Sequence, residues 1–166
     1  MNAIRSVLLL STFALALPAL AATLTVTSTD DTYPTAAAGS LRAALANAAD
    51  GDTITFDSSI AGQTITIAGT LAAAADTSLV IDGKALTIAG PQGGITINGG
   101  WNYTESEESN AGSRIFLVTN TTAVTTFRNL TLTGGHGRGW FVAGNRYFQG
   151  GAIGAYWPIR LEGCRL

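Results

Sequence analysis

From Thr53 onward the chain is built of short runs in which Ile, Leu, Val or Phe alternates with threonine or another polar residue. The series is Thr53-Ile54-Thr55-Phe56, Thr64-Ile65-Thr66-Ile67, Leu79-Val80-Ile81, Leu86-Thr87-Ile88, Ile95-Thr96-Ile97, Ile115-Phe116-Leu117-Val118, Leu130-Thr131-Leu132 and Ile159-Arg160-Leu161. Alternation at period two is the mark of a strand with one buried face. Thr23-Leu24-Thr25-Val26-Thr27-Ser28 shows the same pattern and opens the domain. One segment departs from it: in Leu41 to Ala49, the apolar residues Leu41, Ala44, Leu45 and Ala48 share one helical face, with Ser40 as N-cap.

The strands are three or four residues long, and Gly, Asn, Asp or Pro separates them. Phe127-Arg128-Asn129-Leu130-Thr131-Leu132 aligns with Leu161-Glu162-Gly163-Cys164-Arg165-Leu166, apolar at the first, fourth and sixth places. Runs this short and this evenly scattered do not suit an antiparallel meander, which needs longer strands joined by tight two-residue loops. They predict an all-β chain, a right-handed parallel β-helix in which inward Ile, Leu and Val stack as ladders. Gly83, Gly90, Gly99-Gly100, Gly134-Gly135 and Gly150-Gly151 fall where corners are expected. A β-sandwich is the alternative fold.

The first residues carry a different signal. Arg5 precedes an apolar run from Val7 to Leu17, Pro18 breaks it, and Ala19-Leu20-Ala21 places small residues around a cleavage point after Ala21. The run is shorter than the roughly 20 apolar residues that span a bilayer. The expected organisation is a signal peptide at 1–21, an N-terminal strand and capping helix at 22–52, and β-helix coils at 53–166. The last repeat stops at Leu166 with no cap after it, so a truncated C-terminal end is expected. No transmembrane span is expected in the mature segment.

Composition adds exclusions more than assignments. The formal net charge is -2 and only 12% of residues are charged, which argues against nucleic-acid binding and against a disordered acidic tail. Cys164 is the only cysteine, so no disulfide framework within the chain supports the fold.

The stretch TLTVTSTDDTYPTAAAGSLRAALANAADGDTITFD, from Thr23 to Asp57, resembles the start of exported bacterial β-helix proteins of the polymorphic outer membrane protein-like group. Ser40-Leu41-Arg42-Ala43-Ala44 and Gly51-Asp52-Thr53-Ile54 carry the likeness. It continues through Arg114-Ile115-Phe116, Asn129-Leu130-Thr131-Leu132-Thr133-Gly134-Gly135 and Gly150-Gly151-Ala152-Ile153. The resemblance implies a helix around Leu41 and Leu45 that caps the open end of the core, and display at the bacterial outer membrane or secretion. It names no ligand, because fold does not fix function.

The candidate ligand-binding residues are aromatic and lie outside the regular runs: Trp101, Tyr103, Trp140, Tyr147, Tyr156 and Trp157, with Phe141 and Phe148 beside them. Loops on one side of a solenoid form a groove where such rings stack on sugars or anchor a protein; packing within their own loops is the competing account. His136, in Gly134-Gly135-His136-Gly137, is the only histidine. It resembles part of a polygalacturonase active site, but the aspartate pairs and basic motif of that family do not accompany it. Asp30-Asp31 and Asp50-Gly51-Asp52 offer oxygens of the type Ca²⁺ takes, yet their spacing matches no calcium loop, and turn and helix-end chemistry accounts for them. No metal and no cofactor is expected. Asn102-Tyr103-Thr104, Asn120-Thr121-Thr122 and Asn129-Leu130-Thr131 fit the glycosylation pattern that threonine-rich strands readily generate.

The expectation is an exported stalk and adhesin-like platform that binds an extracellular glycan or surface protein. The alternative is the N-terminal part of a polysaccharide lyase or glycosidase.

Overall fold

A computed structural model describes residues 20–68, 77–100, 114–121, 123–136, 138–142, 145–149 and 151–166. The expected signal peptide, apart from Leu20 and Ala21, lies outside these residues. The strands in chain order are β1 (Thr23–Val26), β2 (Thr53–Phe56), β3 (Thr64–Thr66), β4 (Leu79–Asp82), β5 (Thr87–Ala89), β6 (Ile95–Asn98) and β7 (Phe116–Thr119). They continue with β8 (Thr125–Arg128), β9 (Leu130–Thr133), β10 (Arg138–Val142), β11 (Asn145–Gln149), β12 (Ile153–Ala155) and β13 (Ile159–Glu162). One helix, α1 (Leu41–Asn47), and a 3-10 turn at Ser58–Ile60 complete the set of described elements.

Three of the sheets are parallel. Sheet A runs β1-β2-β5-β8-β13, sheet B runs β3-β6-β9 and sheet C runs β4-β7-β12. From β2 onward the chain visits A, B and C in a fixed rotation, broken only by β10 and β11, which pair with each other antiparallel between β9 and β12. The chain is therefore mostly β with parallel pairing, the class the alternating pattern predicts. Residues paired in the parallel sheets lie between 30 positions apart, as Thr23 with Thr53, and 39 apart, as Thr87 with Thr126. The internal repeat is this pairing: Phe127 meets Leu161, Arg128 meets Glu162, and Thr131 bridges Arg165.

Period two converts register into ladders. Leu24, Ile54, Ile88, Phe127 and Leu161 follow one another across sheet A; Ile65, Ile97 and Leu132 do so in sheet B; Leu79, Phe116 and Ile153 do so in sheet C. Ile54, Ile88, Phe127, Ile65, Ile97, Leu79 and Phe116 are fully buried and join one apolar cluster drawn from all three sheets. Phe116 of sheet C and Phe127 of sheet A meet with ring centroids 4.9 Å apart and planes at 58°, a favourable tilted contact.

The helix covers the first edge of this core. Leu41, Ala44 and Leu45 are buried, and α1 contacts β1 and β4, the first strands of sheets A and C. Ser40 caps it by accepting from the Ala43 amide at 3.1 Å. At the other end Lys84 donates from Nζ to the Leu45 and Ala48 carbonyls at 2.6 and 2.8 Å, which satisfies acceptors that a helix C-terminus leaves open.

Two kinds of constraint act at the corners. Gly83 needs its freedom for a backbone φ of +66°, and Asn120 and Asn129 occupy the same left-handed region at +49° and +51°. Gly90 is needed for space, since a Cβ there would run into the Asn129 carbonyl of the next pass.

Candidate functional site

The connections between sheets are unequal in length. Passages from A to B and from C to A are short: Arg128 to Leu130, Ala89 to Ile95, Asp82 to Thr87 and Ala155 to Ile159. Every passage from B to C is long: Thr66 to Leu79, Asn98 to Phe116 and Thr133 to Ile153. Four of the six candidate aromatics fall in two consecutive B-to-C connections. Trp101 and Tyr103 belong to the stretch after β6 and lie outside the described residues. Trp140 and Tyr147 follow β9 and pair with each other across the β10–β11 hairpin.

Tyr156 and Trp157 are placed differently. They occupy the C-to-A turn between β12 and β13, with both side chains exposed and the Tyr156 amide held by the Val118 carbonyl at 3.1 Å. The four described ones thus fall in two places, Trp140 and Tyr147 in the hairpin between β9 and β12, Tyr156 and Trp157 in the turn between β12 and β13. His136 is half-buried at the start of the last B-to-C connection.

Of the four aspartates weighed as calcium ligands, Asp31, Asp50 and Asp52 accept from the protein's own donors. Asp31 is 2% exposed and accepts from Arg42 Nε and Nη2, both at 2.7 Å, and from the Ala68 amide at 2.8 Å. Arg42 Nη2 also donates to the Thr77 carbonyl at 2.8 Å and the guanidinium lies over the Tyr33 ring, 5.5 Å from its centroid. Asp50 accepts from the Ala85 amide at 2.7 Å. Asp52 receives the Ala49 amide at 2.8 Å and the Ala22 amide at 2.7 Å, and those two bonds, the Ala49 one foremost, hold its carboxyl below the usual carboxylate range. Asp57 is lowered by the Ser59 side chain and amide, and Asp82 by Thr119 and Asn120. Carboxyls with depressed values add stability that is present above about pH 4 and lost as pH falls through their folded values.

Among the described residues no group of three or more His, Cys, Asp or Glu is arranged to hold a metal, and no helix is long and apolar enough to cross a membrane. Sequence reasoning missed the burial of Arg114, which is 5% exposed, lies against Gly154, and has no hydrogen-bond partner for Nε among the described residues. It also missed Asp31 as the partner of Arg42. Neither shows in strand or helix periodicity, because each contact joins two different segments, Arg42 and Asp31 being 11 positions apart.

Neither a family model, nor a curated protein, nor a solved structure matches the chain.

Proposed function

We propose that this chain is an exported segment of a right-handed parallel β-helix that serves as a stalk and as a platform for binding an extracellular glycan or a surface protein. The observation that carries this reading is that every connection from sheet B to sheet C is long, with Trp101, Tyr103, Trp140 and Tyr147 in two of them by sequence position. Parallel register brings the strands that begin and end those connections side by side, β3, β6 and β9 in sheet B and β4, β7 and β12 in sheet C. Aromatic rings offer flat apolar faces, and Trp and Tyr add polar handles, the chemistry that sugars and protein anchors use. The rotation through three sheets and the single apolar cluster support the β-helix itself. The apolar run from Val7 to Leu17 and the small residues up to Ala21 support export, with cleavage after Ala21.

Affinity electrophoresis of the protein against a panel of neutral and acidic polysaccharides, and binding to intact host cells, test the platform. The Trp140→Ala, Tyr147→Ala, Trp157→Ala triple variant is expected to keep its circular dichroism and melting temperature and to lose retention at least tenfold. Loss of folding in that variant, with binding tracking only the folded fraction, would show that the rings pack their own loops and serve no ligand.

A further inference from the structure

We infer that Asp52 is a prepared receptor for the α-ammonium group that forms on Ala22 when the chain is cut between Ala21 and Ala22. The inference rests on the proposed export and adds what that cut does to the folded protein. Ala22 is where the chain becomes held by the sheets: its carbonyl accepts from the Thr53 amide at 2.8 Å and its nitrogen donates to Asp52 Oδ1 at 2.7 Å. On the other side of the bond Leu20 is 95% exposed and Ala21 is exposed as well. Asp52 is itself buried, and Oδ2 is fixed by the Ala49 amide at 2.8 Å, which leaves Oδ1 aimed at the Ala22 nitrogen.

Hydrolysis consumes one water. The Ala21 carbonyl carbon takes its oxygen and departs as a carboxylate, while the Ala22 nitrogen takes protons and becomes an ammonium; nothing is oxidised or reduced. A neutral amide bond to a carboxylate is thereby replaced by a charge-assisted one at the same two atoms. The position of the cut matters. One residue earlier moves the ammonium out to Ala21, and one residue later removes the Ala22 carbonyl that Thr53 needs.

The surrounding charges leave room for the new one. Lys84, which also draws the Asp52 carboxyl down, is committed to the Leu45 and Ala48 carbonyls, and Asp50 is committed to the Ala85 amide. A carboxylate partner raises an α-amino group above its ordinary value of about 7.7–8.0. The stability it adds is therefore complete below that ordinary value and is lost as pH rises through the raised one.

The test uses the full chain, exported from a bacterial host, purified and sequenced from its N-terminus. The product is then compared with the same protein after selective acetylation of its α-amino group, and the Asp52→Asn variant is treated in the same way. A product that begins at Ala22 is expected, with the free-amine form melting several degrees above the acetylated form at about pH 6 and the gap closing at about pH 10. The gap is expected to vanish in Asp52→Asn; should that variant not fold, the two pH values measured on the parent protein decide alone. A product left uncut or cut elsewhere overturns the export reading and this inference together. A product beginning at Ala22 whose two forms melt alike at about pH 6 overturns the inference alone.

Discussion

The two ends of sheet A use the same pattern and arrive at opposite conditions. At the first end, the ladder residue Leu24 is packed against the core, β1 is contacted by α1, and polar staples fix the surroundings: Asp31 to Arg42 and Ala68, Asp52 to Ala22 and Ala49, and Lys84 to the end of the helix. At the last end, the ladder residue Leu161 is 40% exposed and Leu166 is exposed too, while the nearby ion pair of Arg128 with Glu162 at 2.6 Å lies largely in solvent. Periodicity alone assigned Leu24 and Leu161 the same role. Among the described residues, what separates them is the contact of β1 with α1, a segment outside the repeat.

Substitution along one ladder should expose the gradient most strongly. Phe127→Ala empties a fully buried site in contact with Phe116 and is expected to cost about 3–5 kcal/mol. Leu161→Ala, already partly in water, is expected to cost about 1 kcal/mol or less. Urea unfolding of both variants measures the difference, and equal costs would break the comparison.

The charges should follow the same gradient with smaller effects. Removing Asp31 leaves the nearly buried Arg42 guanidinium, whose side chain is 13% exposed, without its counter-ion, and Asp31→Ala is expected to cost about 3 kcal/mol. The half-buried Glu162, removed in the same manner, should cost about 1 kcal/mol at most, and that small loss should shrink further in added salt. A Glu162→Ala loss as large as that of Asp31→Ala would mean that the last strand is as firmly enclosed as the first.

Much of the parallel scaffold was readable because its strands obey simple arithmetic. Thr53-Ile54-Thr55-Phe56 and Ile95-Thr96-Ile97 announce a buried and an exposed face residue by residue, and Ser40 followed by Leu41, Ala44 and Leu45 announces a capped helix, which the structure places at Leu41–Asn47. β8 escaped notice because Thr125-Thr126-Phe127-Arg128 holds one strongly apolar residue, although Thr125 and Thr126 are buried as well. β12 escaped because Gly154 breaks the pattern where the Arg114 side chain needs space. The β10–β11 hairpin falls among the aromatic residues expected outside the regular runs: Trp140, Phe141, Tyr147 and Phe148 put aromatic residues side by side, so no alternation marks the strands. For the candidate site, sequence located the aromatic residues but not the separation of Trp140 and Tyr147 from Tyr156 and Trp157 by β12, since that depends on which strands each connection joins.

Amide hydrogen exchange, resolved by residue, tests the unequal ends most directly, because it reads local opening along the same ladder in the unmodified protein. The carbonyls of Pro158, just before β13, and of Glu162 accept from Thr125 and Asn129 in or beside β8, so the alternation of a parallel strand turns the Ile159 and Leu161 amides away from β8. Slow exchange is predicted at Ile54, Ile88 and Phe127, with Ile159 and Leu161 exchanging faster by at least a hundredfold. Protection of Ile159 and Leu161 equal to that of Ile88 would contradict the account.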